Sequence, residues 1–94
     1  MLKDLANNVL SNPIRLGIMI YLLTRERAMF KELQQLLDIT PGNLDSHLRT
    51  LKKWGLIELK KVIADRPRTL VVITEKGAIE TEKYINTLKE VLNL

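Results

Sequence analysis

Thr40-Pro41-Gly42-Asn43-Leu44-Asp45-Ser46-His47-Leu48-Arg49-Thr50-Leu51-Lys52-Lys53-Trp54-Gly55 is the stretch whose reading decides the fold. It opens as a helix opens: Thr40 can cap the free amides of a first turn, and Pro41 suits a position that needs no amide donor. It closes as one too, with Lys52 and Lys53 near the negative end of the helix dipole and Gly55 available for a left-handed exit. Leu44, Leu48 and Leu51 fall on one stripe at helical spacing. Opposite them lie Gly42, Asn43, Ser46, Arg49, Thr50 and Lys53, all small, polar or basic. One side is made to be buried, and the other offers hydrogen-bonding groups and positive charge. An ordinary amphipathic surface helix fits this stretch alone about as well, so its neighbours decide what it is for.

Immediately upstream, Leu33, Leu36 and Leu37 recur at helical spacing over about 31–37, with Phe30 one turn earlier and Ala28-Met29-Phe30 as an extended lead-in. Asp38-Ile39 is a short turn, with Ile39 plugging the corner. A short helix, a turn of about three residues and a second helix make a helix-turn-helix. Before it, Asn12-Pro13 repeats the cap-plus-proline start and predicts a helix over about 13–25. Ile14, Gly17, Ile18, Tyr21 and Leu22 occupy one face of that helix, and Leu16, Met19, Ile20 and Leu23 the other. A helix apolar nearly all round must be covered on two sides. Leu2, Leu5, Val9 and Leu10 predict a further short helix over 2–10.

Downstream of Gly55 the pattern turns extended. Leu56 to Ile63 is rich in branched residues, Ala64-Asp65-Arg66-Pro67 reads as a turn, and Arg68 to Ile73 returns as a second strand. The result is a hairpin over 57–73 carrying Lys60, Lys61, Arg66 and Arg68. Thr74 caps a last helix over 75–92, in which Gly77 costs helix propensity and permits close packing. Ile85, Leu88 and Leu92 form its apolar seam, and Tyr84 and Val91 a second strip. The expected fold class is α+β, mostly α: a winged helix-turn-helix with a β-hairpin wing and terminal dimerisation helices. The 94 residues form one domain with a core over 12–77.

Hydrophobic residues make up 46% of the chain, as in globular proteins. No apolar run approaches the ~20 residues needed to cross a bilayer, and the first residues do not read as a secretory signal, so a cytoplasmic protein without membrane partners is expected. The absence of cysteine excludes disulfides and thiolate metal sites. Charge placement says more than the net +4. Between Thr40 and Arg68 lie seven basic residues and three acids, so the whole excess falls in this one segment. Basic residues gathered on one surface are the electrostatic footprint of nucleic-acid binding.

Phe30-Lys31-Glu32-Leu33, Thr40-Pro41-Gly42-Asn43-Leu44 with His47-Leu48 and Leu51, Gly55-Leu56-Ile57, Pro67-Arg68-Thr69 and Ile73-Thr74-Glu75-Lys76-Gly77 resemble the MarR/ArsR-type transcriptional regulators, in their small single-domain form. The resemblance covers roughly 12–77. It implies a homodimer on double-stranded DNA, with the helix over 40–54 in the major groove and the hairpin as wing. The sequence departs from the family pattern in the wing, where an Asp is usually followed two residues later by Arg. Position 67 is Pro, and Arg66 and Arg68 flank it, which leaves the role open between them. Val71 replaces an aromatic common after the wing threonine. With no Cys and one His, the chain does not inherit the metal sensing of ArsR-type proteins; no metal and no cofactor are expected, and a small-molecule effector is left open.

The candidate DNA contacts are therefore Thr40, Gly42, Asn43, Ser46, Arg49, Thr50 and Lys53 on the helix, and Lys60, Lys61, Arg66 and Arg68 on the wing. Arg49 is suited to a bidentate guanine contact or a phosphate clamp, Asn43 to adenine, and the hydroxyls to phosphate. Asp45 reads as a partner of the helix dipole, His47 as a boundary packing residue and Trp54 as core or interface filler. The candidate dimer interface comprises Leu2, Leu5, Val9, Leu16, Met19, Leu23, Ile85, Leu88 and Leu92, three apolar surfaces at the two ends of the chain. Nothing has recognisable catalytic spacing with His47, so no enzyme is expected. The rival reading is a winged-helix protein-interaction module whose basic face is incidental.

Overall fold

Three helices begin where one side-chain oxygen captures free backbone amides. Asn12 Oδ1 accepts from the Ile14 and Arg15 amides at 2.9 and 3.1 Å, Thr40 Oγ1 from Asn43 at 3.1 Å, and Thr74 Oγ1 from Gly77 at 2.9 Å. The computed structural model describes residues 2–94. Its elements are α1 (Leu2–Ala6), a 3-10 turn (Val9–Ser11), α2 (Pro13–Arg25), β1 (Arg27–Met29), α3 (Phe30–Leu37), α4 (Pro41–Lys53), β2 (Ile57–Ile63), β3 (Pro67–Ile73) and α5 (Glu75–Leu92).

The helix expected over 2–10 is two pieces. Asn8 sits in an extended conformation (φ −86°, ψ 146°), and its Oδ1 accepts from the Leu10 amide at 2.8 Å. That local bond competes with a continuous helix and starts a separate turn instead. Leu10, at the centre of that turn, is buried.

The sheet is larger than a hairpin. β2 and β3 pair antiparallel from Ile57↔Ile73 to Ile63↔Pro67, and β1 adds to the other edge of β3 through Arg27↔Val72, Ala28↔Val71 and Met29↔Leu70, giving the order β1-β3-β2. Phe30 belongs to α3 rather than to the extended segment. The turn from α3 to α4 passes through Asp38 in the left-handed conformation (φ 52°).

The core is a cluster to which α2, α3, α4, the sheet and α5 all contribute. Leu44, Leu48 and Leu51 of α4 are fully enclosed, as are Leu33 of α3 and Val71 of β3. Met19, expected at a subunit interface, is a correction: it is 0% exposed within the single chain and packs in this cluster. Met19 shares the buried surface of α2 with Ile18 and Leu22, so no partner can reach it. Ile20 instead is 46% exposed, and Leu23 on the same side is half-buried.

A tight joint connects the end of α4 to the start of α5. Gly55 adopts φ +75°, which a side chain would strain. Thr74 Oγ1 donates to the Gly55 carbonyl at 2.6 Å, and the Thr74 amide donates to the Leu56 carbonyl at 3.1 Å. Above that same carbonyl lies Gly77, where a Cβ would stand only 2.1 Å from Leu56 O. The start of α5 is thereby tied to the segment that leaves α4.

Candidate nucleic-acid interface

With its three leucines buried, α4 presents Thr40, Gly42, Asn43, Ser46, Arg49 and Lys53 as exposed residues. Gly42 has open space where a Cβ would stand, so its lack of a side chain is not required by packing within this chain. Thr50 is half-buried, and its hydroxyl donates back to the Ser46 carbonyl at 3.2 Å. That bond commits the proton to the helix and leaves the oxygen able to accept.

The sheet brings the wing alongside this face. A groove of about 300 Å³ lies between them, lined by Asp45, Leu48, Arg49 and Lys52 from α4, Leu59, Lys60, Lys61 and Thr69 from the hairpin, and Phe30 beneath. Four cations from two elements thus surround one concavity. A second groove, about 360 Å³, separates Met29, Phe30 and Lys31 from the wing segment Arg66, Pro67, Arg68 and Thr69. Lys31 and Lys52 were not among the sequence candidates. Lys52 carried a readable signal, lying three residues after Arg49 on the helix. Lys31 carried none, because only the pairing of β1 with β3 brings the start of α3 beside the wing.

Several cations already have partners. Arg49 Nε donates to Asp45 Oδ2 at 2.7 Å, with the side chains 76% and 46% exposed. The hydrogen bond to Asp45, and then its charge, hold the Arg49 pKa above the ordinary value. Asp45, read from sequence as a partner of the helix dipole, is therefore paired with a side chain one turn on. Lys61 Nζ donates to Thr69 Oγ1 at 3.1 Å across the hairpin, and Lys60 lies 3.8 Å from Glu58. On the wing, Arg68 Nη2 donates to Asp65 Oδ1 at 3.0 Å, with Nε as a second donor at 3.3 Å. Of the two arginines flanking Pro67, Arg68 thus takes the aspartate. Arg66, Lys52 and Lys53 make no side-chain hydrogen bond or ion pair among the described residues.

Behind α4, the guanidinium of Arg15 bridges two elements. Its Nε donates to the Val9 carbonyl at 2.8 Å, and its Nη1 lies 3.2 Å from His47 Nδ1. His47 is half-buried, and burial, with the Arg15 charge second, lowers its pKa below 6.5. Trp54 corrects its core reading, being 55% exposed beside Asn7, Asn8, Val9 and Lys76. On the far side, Tyr21 donates to Glu32 and carries Arg25 4.0 Å above its ring, tying α2 to α3.

The candidate dimer residues other than Met19 divide in two. Leu5, Val9 and Leu16 are partly buried against the chain's own core. Leu23, Ile85 and Leu88 are half-buried, and Leu2 and Leu92 are 70% and 57% exposed. Among the described residues no group of three or more His, Cys, Asp or Glu side chains is arranged to hold a metal ion, and no helix is long and apolar enough to cross a membrane.

A helix-turn-helix followed by a two-stranded wing, the strand before the first of those helices completing the sheet, defines the winged-helix class. Residues 14–92 match the family model of the winged helix DNA-binding domain, and the chain belongs to that family. An uncharacterised protein of Methanocaldococcus jannaschii is 36% identical over 78 residues, spanning 82% of this chain and 85% of that protein. The structure of a transcriptional regulator homologue from Pyrococcus horikoshii OT3 superposes with a TM-score of 0.94 at 52% identity, covering 98% of this chain and 93% of the other. A protein of Enterococcus faecalis V583 described as a transcriptional regulator of the MarR family superposes with a TM-score of 0.76 at 24% identity, over 96% and 81% of the two chains. At that identity the likeness is one of fold.

Proposed function

We propose that the protein is a cytoplasmic transcriptional regulator that binds specific double-stranded DNA sequences as a homodimer. In this reading α4 enters the major groove and the β2–β3 hairpin contacts the adjacent backbone or minor groove. The observation that carries it is the gathering of Arg49 and Lys52 with Lys60 and Lys61 around one groove between helix and wing. A helix whose polar face is exposed beside flanking cations suits a duplex, where base edges lie within the groove and phosphates border it. The match to a DNA-binding family and the likeness to a transcriptional regulator homologue support the same reading. Dimerisation draws its support from the exposed apolar residues Leu2 and Leu92 at the two ends of the chain.

Two-fold symmetry places the recognition helices roughly 34–36 Å apart, one turn of the duplex, or a multiple of that. The test is selection from random duplexes followed by gel shift at moderate salt. A palindromic selected site, bound far more tightly than random sequence, is the expected result. No enrichment, with only weak binding that vanishes as salt rises, would favour the protein-interaction module instead.

A further inference from the structure

The ion pair on the exposed face of α4 is an awkward feature for a surface whose only task is to attract phosphate. Arg49 and Asp45 cancel in formal charge on the polar side of α4, while Lys52 and Lys53 of the same helix have no side-chain partner among the described residues. A carboxylate beside a phosphate-binding guanidinium would repel the backbone it is meant to hold. Nor does the pair do much for folding, since both side chains are exposed and a solvent-screened contact contributes little. What it does fix is geometry.

Asp45 Oδ2 occupies Nε, the inner donor of the guanidinium. The two terminal nitrogens are left as a fork, with no other partner on the described surface. Such a fork matches the paired acceptors O6 and N7 of guanine in the major groove. An arginine side chain free to rotate would lose much of its rotamer entropy on making that contact; one held by its Nε has less to lose.

We infer that Asp45 is a specificity-determining residue, which holds Arg49 for end-on recognition of a guanine and keeps it off the phosphate backbone. This deepens the DNA-binding reading and rests on it. The two functions are then divided on the surface. The neutral Asp45–Arg49 pair reads sequence, and the cations around it supply salt-dependent affinity.

The test uses the intact protein and a library of duplexes randomised across the bound site, with salt titrations on a selected and a random duplex. Wild type should prefer G·C at one position in each half-site, and Arg49→Ala should abolish that preference, roughly five- to 150-fold for a bidentate contact. Asp45→Ala should lose most of the same preference while binding random duplex more tightly. Its salt slope on random duplex should steepen by up to about 0.9 per subunit, as the released arginine engages a phosphate. Asp45→Asn, which keeps an acceptor of the same shape, should recover part of the preference. Both side chains are exposed, so each variant should keep the circular dichroism of the parent. An undiminished guanine preference in Asp45→Ala overturns the inference. So does a wild type with no guanine preference, or an Arg49→Ala variant that weakens selected and random duplexes equally with a shallower slope. A wild type that binds no duplex at all overturns the DNA-binding reading itself.

Discussion

Any side chain at position 77 would drive a Cβ to within 2.1 Å of the Leu56 carbonyl, which already accepts from the Thr74 amide. The neighbour is backbone, so it cannot rotate aside. Gly77→Ala should therefore destabilise the fold by about 3 kcal/mol or more in denaturant unfolding, although alanine favours helices. Stability equal to wild type would mean that the joint between α4 and α5 is looser than its geometry suggests. His47 gives a second prediction at this scale. Its pKa is depressed in the folded state by burial and by Arg15, so between the folded value and 6.5 the unfolded chain binds more protons. Stability must then rise with pH across that window. The His47 contribution is fully present above about 6.5 and is lost as pH falls through the unfolded value toward the folded one. Unfolding midpoints measured from about pH 5 to 8 should show a drop on the acid side that is smaller in His47→Gln. An identical pH profile in the two proteins would remove His47 as its source.

At the scale of elements, the wing separates two arginines that look equivalent in the sequence. Pro67 opens β3 and pairs with Ile63, which places Arg68 on the strand and its guanidinium on Asp65. Arg66 lies in the turn, exposed and unpaired among the described residues. Counterion release counts phosphates neutralised by free cations, so Arg66→Ala should make the salt slope shallower by up to about 0.9 per subunit. Arg68→Ala should change the slope less, and should loosen the tip by leaving Asp65 without its partner. Salt titrations of the two single variants on one duplex check this ordering, and the reverse order would assign the backbone contact to Arg68. How much of each element was legible followed from how local its causes are. α4 and the hairpin were bounded to within a residue or two, since caps, a proline, a glycine exit and a run of branched residues all act within a few positions. β1 was not recognisable as a strand of the sheet, because three residues become a strand only through a partner more than forty positions away.

At the scale of the whole molecule, the apolar surface left open by the chain's own core includes both of its ends. Leu92 of α5 and Leu2 of α1 are exposed, while Ile85 and Leu88 are half-covered along the α5 seam. A seam of this kind is covered economically by a second copy, and a C2 interface would double each contact. Leu92→Lys is the cleaner probe, being exposed in the single chain, whereas Leu88→Lys also strikes a partly buried position. Sedimentation at tens of micromolar should give a dimer for wild type and monomer for Leu92→Lys, with weakened binding to a two-half-site duplex but little change on a single half-site. A monomeric wild type would move DNA recognition onto one subunit and leave the terminal residues to another role.

The amino-acid sequence by itself determined the helices from α2 to α5 and the hairpin between the last two, the buried stripe Leu44–Leu48–Leu51, the left-handed Gly55 and the segment in which positive charge accumulates. Each of these depends on neighbours within one or two turns of chain. Tertiary structure alone decided that Met19 lies inside while Ile20 faces out, that Lys31 stands beside the wing cations, and that Gly77 is required by the Leu56 carbonyl. A helix apolar nearly all round does not say which stripe its neighbours will cover, and a groove between two elements exists only once both are packed. The Asp45–Arg49 pair stands between these cases. Its spacing of four was plain in the sequence, but whether the two side chains would meet depended on α4 forming as a helix with that face in solvent.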